Sequence, residues 1–177
     1  MIPKIKNILY ATDLSKNSAY AFPYAVNSAK HHKAKIHILH VLESGQAKRS
    51  PFWVNRLPRL PQPGLDEAYS KKKGAVREEI RKRLEDFCKR ELKNKPASLK
   101  TVSSIQVVEG DPAGEILEKA DQLKADMVIM GSHGKGLLAH AFLGSVAEKV
   151  LNRIKIPVFI IPIPEETNIT LSEIYVG

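Results

Sequence analysis

The chain has 177 residues, 43% of them hydrophobic, 27% charged and 6% aromatic, with a net charge of +9 and a mean hydropathy of −0.24. That composition describes one globular domain able to bury roughly 70% of the surface its unfolded form exposes. It contains no apolar run near the ~20 residues of a membrane-spanning helix, a lysine-interrupted start unlike a signal peptide, and one cysteine, Cys88, which allows neither an intramolecular disulfide nor a multi-cysteine zinc site.

A reducing cytoplasm is therefore the expected setting, with no membrane partner. The Asn168-Ile-Thr170 sequon carries no weight without a secretion route.

In chain order, the first apolar run is Ile8-Leu9-Tyr10-Ala11, which ends at Thr12-Asp13. Ser15 then caps a helix predicted to reach about Lys30. Pro23 falls inside it and should kink it or leave its end irregular, because an interior proline costs ~3 kcal/mol. The second run is Ile36 to Leu42. Residues 44–65 follow, with Pro51, Pro58, Pro61 and Pro63 beside Phe52 and Trp53. Without periodicity they read as an insertion loop, a lid or a docking surface for a protein partner.

The next helix places Val76, Ile80, Leu84, Phe87 or Cys88, and Leu92 on one apolar stripe. Residues 71–100 hold twelve Lys/Arg and five Asp/Glu, so +7 of the +9 lies here. The plain reading is a solvated basic face. Phe87 is the only aromatic in the window, which leaves nothing to stack on bases, and nucleic-acid binding is not expected. Val102 to Val108 is a third, weaker run. Asp111-Pro112 opens a helix with Ile116, Leu117, Ala120 and Leu123 inward. Met127 to Met130 is the fourth run. Gly144-Ser145 opens a last helix carrying Val146, Ala147, Val150 and Leu151, and Val158 to Ile161 is the fifth run.

Short runs rich in β-branched residues and apolar on both faces suit buried parallel strands. Their alternation with helices predicts a single doubly wound, Rossmann-like α/β domain over residues 1–163. Its five-stranded parallel sheet has the order 3-2-1-4-5 with helices on both faces, and residues 164–177 form a C-terminal extension.

In such a sheet, ligands bind outside the carboxyl ends of the strands where the order reverses, here between the first and fourth. The first strand ends in Ala11-Thr12-Asp13. The fourth runs into Gly131-Ser132-His133-Gly134-Lys135-Gly136, and nine residues after Gly134 come Gly144-Ser145. Glycines let backbone N–H groups approach phosphate oxygens, a helix amino end favours negative charge, Ser145 adds a hydroxyl and Lys135 a cation. The pattern reads as a cradle for a nucleotide polyphosphate. A P-loop needs four residues between its glycine and Gly-Lys, but only two separate Gly131 from Gly134-Lys135. The loose dinucleotide match from Gly134 to Ala139 follows the fourth strand instead of the first. His37 and His40 differ by three positions, so they point to opposite faces of a strand and cannot share a metal.

At these residues the chain resembles the universal stress protein family, specifically its ATP-binding branch. The branch's mark is glycine, two residues, glycine, nine residues, glycine, then Ser or Thr, which Gly131, Gly134, Gly144 and Ser145 satisfy. Asn7 to Ser15, His40-Val41, Asp126 to Gly134 and Gly144 to Glu148 agree as well. The likeness covers roughly residues 4–43 and 100–163.

The resemblance implies ATP, or AMP or ADP, with Mg2+ or Mn2+ bridging the phosphates and no residue assigned as a dedicated metal ligand. Val41 would bond adenine through its backbone, with Ala11 and Thr12 lining the base and ribose side. Asp13 would sit near ribose and phosphates. Gly131, Ser132, His133, Gly134 and Lys135 would wrap the phosphates, and Gly144, Ser145 and Val146 would hold their far end. The resemblance also implies a homodimer through the last strand, Pro157 to Ile161. The expected role is nucleotide-dependent regulation or protection under stress. The alternatives are slow ATP hydrolysis at the same site, or a protein-interaction module with vestigial nucleotide binding. No residue is assigned as catalytic.

Overall fold

Strand β1 (Asn7–Ala11) is buried on both faces from Ile8 to Ala11, which places it in the middle of a sheet with helices on either side. The computed structural model describes residues 3–43, 65–133 and 143–162, with only the backbone of 16, 17 and 65–72. After β1 come α1 (Lys16–His32), β2 (Lys35–Glu43), α2 (Leu65–Glu91), α3 (Pro96–Leu99) and β3 (Val102–Gly110). The chain continues with α4 (Pro112–Gln122), β4 (Met127–Gly131), α5 (Ser145–Leu151) and β5 (Val158–Ile161). All pairings are parallel, in the order β3-β2-β1-β4-β5. This is the order expected from sequence. The proline-rich insertion from 44 to 64 with Trp53, the stretch 134–142, and the tail with its sequon lie outside the described residues. α2 begins at Leu65, the last residue assigned to the insertion.

Side-chain alternation sorts the core into two layers. Ile8, Tyr10, Ile36, Ile38, Met127 and Ile129 face α1 and α2, where they meet Ala21, Phe22, Ala25, Leu84 and Cys88. Leu9, Leu39, Val128 and Met130 face α4 and α5, where they meet Ala113, Ile116, Ala147 and Val150. Ser15 caps α1, its hydroxyl accepting from the Ser18 N–H, and Asp111 caps α4 by accepting from the Gly114 N–H at 2.9 Å. α1 continues through Pro23 to His32 and ends at Lys33, whose left-handed φ of 54° closes it. Pro23 is exposed on that helix, so its ring meets solvent and not the sheet.

Two stripe assignments differ from expectation. Val76 is 41% exposed, because Lys73 and Arg77 turn toward β3 there and pair with Glu109 at 2.8 and 3.2 Å. Leu151 is 42% exposed, since it follows buried Val150 by about 100° around a helix with one covered face. The short helix α3 was not expected. Its Pro96 suits a first helical turn, where a missing N–H costs nothing.

Cys88 is 2% exposed, and burial, reinforced by Glu85 and Glu91, pushes its thiol up to about 12. A protonated, enclosed thiol is a poor nucleophile. Ellman's reagent at mildly alkaline pH should therefore leave the folded protein unlabelled and react once denaturant exposes Cys88. Prompt labelling of the native protein would contradict this packing.

Candidate functional site

The register places the crevice. β1 is aligned with β2 up to Ala11↔Leu39 and with β4 up to Ala11↔Met130. Beyond Ala11 the chain turns into α1, while β2 runs on to Glu43 and β4 to Gly131. Alternate residues of a parallel strand direct their backbone groups to opposite neighbours. The Leu39 carbonyl points toward β1, where it accepts the Thr12 N–H at 2.9 Å. Two residues on, the backbone groups of Val41 point the same way, into the space from which β1 has departed. Half-buried Val41 packs its side chain against the α4–α5 layer.

The turn from β1 to α1 is held by a buried set of hydroxyls. Thr12 is 8% exposed and Ser18 4%. The Thr12 Oγ1 accepts from the Leu14 N–H at 3.1 Å and lies 2.8 Å from the Ser18 Oγ. The Ser18 hydroxyl donates to the Ser15 carbonyl at 2.9 Å, which makes the Thr12 hydroxyl the donor to Ser18. The Tyr10 phenol donates to the Ser18 carbonyl at 2.5 Å, and burial holds its pKa well above the ordinary value. The Asp13 Oδ1 accepts from the Ser15 N–H at 3.0 Å. These bonds fix Leu14 at a φ of 61°, a conformation that costs a non-glycine residue ~1–3 kcal/mol. The strain turns the chain sharply out of the sheet just where Asp13 stands.

His40 ties this turn to β2. Its Nδ1 lies 2.8 Å from the Thr12 carbonyl, which can only accept, so Nδ1 carries the proton. On the opposite face, the His37 Nδ1 lies 2.8 Å from the Ser104 Oγ. Burial, then the charge of Lys35, lowers the His37 pKa. The two histidines occupy separate faces, as their spacing requires.

The other wall is built by Ser132, 5% exposed. Its N–H donates to the Ile161 carbonyl at 2.9 Å, and its carbonyl accepts the Gly144 N–H at 2.8 Å. The chain leaving after β4 therefore returns to its point of departure at the start of α5. This closure brings Gly131, Ser132 and His133 together with Gly144, Ser145 and Val146. The Ser132 Oγ lies 3.0 Å from the His133 Nδ1. Gly144 precedes α5 with no side-chain cap. Gly134 and Lys135 lie outside the described residues. Among the described residues no three His, Cys, Asp or Glu side chains are grouped to hold a metal ion.

Sequence reasoning named the crevice's rim but not its supports. Ser18, the Tyr10 phenol and the His40 side chain do not touch the open space; they hold the turn that does. The spacing of Ser15 and Ser18, suited to a capping bond, was the one available signal.

The universal stress protein family model matches residues 4–162. The universal stress protein MJ0531 of Methanocaldococcus jannaschii is 32% identical over 161 residues, covering 91% of this chain and 84% of that one. MJ0577 of the same organism is 31% identical over 158 residues, covering 88% and 94%. The solved structure of MJ0577 has a TM-score of 0.70 at 26% identity, over 92% of this chain and 99% of that one. A universal stress protein family member from Arabidopsis thaliana, solved with AMP bound, has a TM-score of 0.52 at 15% identity, over 90% and 93%. That last likeness is one of fold.

Removing the Ser18 hydroxyl leaves buried partners unsatisfied, a loss of ~1–3 kcal/mol. Thermal unfolding should show Ser18→Ala and Thr12→Val melting well below wild type, with Thr12→Ser close to it. Equal melting of the two Thr12 variants would show that the hydroxyl does not hold the turn.

Proposed function

The chain belongs to the universal stress protein family, and on that premise we propose that it binds an adenine nucleotide, ATP or its AMP and ADP relatives, where β1 and β4 part. The observation that carries the reading is the 2.8 Å bond from the Gly144 N–H to the Ser132 carbonyl. It sets both halves of the glycine pattern beside the end of β1. Val41 supports it from the other wall, because its N–H and carbonyl face the vacated space and offer an adenine edge one donor and one acceptor.

In this reading Ala11, Thr12 and Asp13 line the base and ribose side, Thr12 through its backbone because its hydroxyl is engaged with Leu14 and Ser18. Gly131, Ser132 and His133, continued by Gly134 and Lys135, surround the phosphates, and Gly144, Ser145 and Val146 hold their far end. A Mg2+ or Mn2+ ion would ride on the phosphates, with Asp13 the nearby carboxylate. The AMP of the Arabidopsis protein is a property of that protein. The role we assign is nucleotide-dependent regulation or protection under stress in the cytoplasm.

Ligand at 100 times its Kd stabilises by ~2.7 kcal/mol, about 5–11 °C for a domain of this size. Magnesium ATP should produce a melting shift of that order in nucleotide-free protein. Gly144→Val should abolish it, because a φ of −69° and ψ of 150° accept any residue while the added side chain fills the cradle. No shift in the wild type would defeat the proposal.

We also propose a homodimer through Pro157 to Ile161. β5 ends the sheet, and its Phe159 is 53% exposed, an apolar strand edge that needs cover. Light scattering should give twice the chain mass for the wild type and a single mass for Phe159→Asp. A monomeric wild type would refute this arrangement.

A further inference from the structure

In an all-parallel sheet, every strand starts on the same edge, and here a lysine stands within three residues of each start. These are Lys6 before β1, Lys35 opening β2, Lys100 before β3, Lys124 before β4 and Lys155 before β5. All are exposed, and none forms an ion pair with a described residue. Basic residues in the last turns of α1, α2, α4 and α5 end at this edge too, where the helix dipole accounts for them. The dipole does not account for a lysine at every strand start.

The carboxylates here do little to offset them. Asp126 accepts the Lys6 and Asn7 backbone N–H groups at 2.7 and 2.9 Å, Glu91 stands 3.8 Å from Arg90, and Glu118 accepts from Gln122. Asp121 is exposed nearby, and Glu85, beside the start of β3, pairs with Arg81. By contrast, Asp13, Glu43, Glu109 and Asp111 stand at the opposite edge, by the crevice.

A groove of about 590 Å3 opens on the same basic edge, between the second half of α1 and the α2–α3 junction. Phe22, Val26 and Leu92 supply its apolar lining, and Lys30, Lys95 and the carboxylate of Glu91 its charged lining. Leu99 beside it is 36% exposed.

We propose that this edge docks on an anionic phospholipid bilayer. Five strand starts at ~4.8 Å spacing spread the lysines over a face ~20 Å wide, a broad field and not a cleft. Lysine ammonium groups act as point charges suited to the diffuse surface potential of an anionic leaflet. The apolar lining of the groove fits a lipid tail, with Lys30 and Lys95 beside its headgroup and Glu91 paired with Arg90. The exposed aromatics among the described residues are Tyr24 on α1 and Phe159 on β5, which lie on separate elements and give no stacking platform, and this disfavours single-stranded RNA. A peripheral contact needs no spanning helix, so the proposal departs from the expectation of no membrane partner without requiring one.

The test is co-sedimentation of the full chain with phosphatidylcholine vesicles, plain or carrying about 30% phosphatidylglycerol, at about 0.1 M salt. Binding is expected to the anionic vesicles alone and to vanish at about 0.5 M salt. Lys95→Glu with Lys100→Glu should weaken it at least tenfold. Lys82→Glu with Arg83→Glu, the same charge change at exposed positions about two turns before the end of α2, should weaken it far less. Absence of binding to anionic vesicles, equal losses in the two double variants, or tighter binding of a single-stranded RNA oligonucleotide would each overturn the proposal.

Discussion

Parallel hydrogen bonding makes the two edges of the sheet chemically different, and the rest of the molecule is organised by that difference. Each strand must be followed by a crossover that carries the chain back to the starting edge. Helices therefore cover both faces, the strands are apolar on both sides, and every turn out of the sheet lies at one edge and every turn into it at the other. β1 in the middle, with β2 to one side and β4 to the other, opens a gap where its neighbours continue and it does not. The backbone groups of Val41 face that gap because strand geometry gives them no other direction.

Such a gap is useful only if its walls stay in place, and two small polar clusters keep them there. On one wall the hydroxyls of Thr12 and Ser18, the Tyr10 phenol and the His40 ring hold Leu14 in a strained conformation. On the other, both main-chain groups of Ser132 are bonded, one to β5 and one to the start of α5. Hydrogen bonds of this kind in a dry interior are strong and directional, and an unmet partner there is costly. The side chains that determine the site's shape are therefore mostly turned away from it.

The architecture was legible in the sequence because it depends on repeated patterns. Doubly apolar runs such as Met127 to Met130 and the capping residues Ser15 and Asp111 each point to one local structure. The glycine spacing from Gly131 to Ser145 marked one wall, and register placed Val41 on the other. What sequence did not reveal depends on direction within an element. Val76 and Leu151 match an apolar stripe by spacing, yet Lys73 and Arg77 take the sheet-facing side of α2, and Leu151 falls about 100° from buried Val150 on a helix with one covered face. The roles of Ser18 and His40 depend on contacts to Thr12 made across a turn and across strands, which no periodicity encodes.

The central position of β1 also governs when the protein can fold. The first strand made pairs on both sides, and its second partner begins 120 positions later, at Met127. During synthesis β1, α1 and β2 can associate early, but the β4-facing edge of β1 stays open until almost three-quarters of the chain has emerged. The clamp of Asp126 on the backbone of Lys6 and Asn7 forms at the same late moment. Contacts this distant slow folding and leave an unsatisfied strand edge exposed meanwhile. A chain truncated before β4 would keep its first half-sheet but present that edge to any other strand it met.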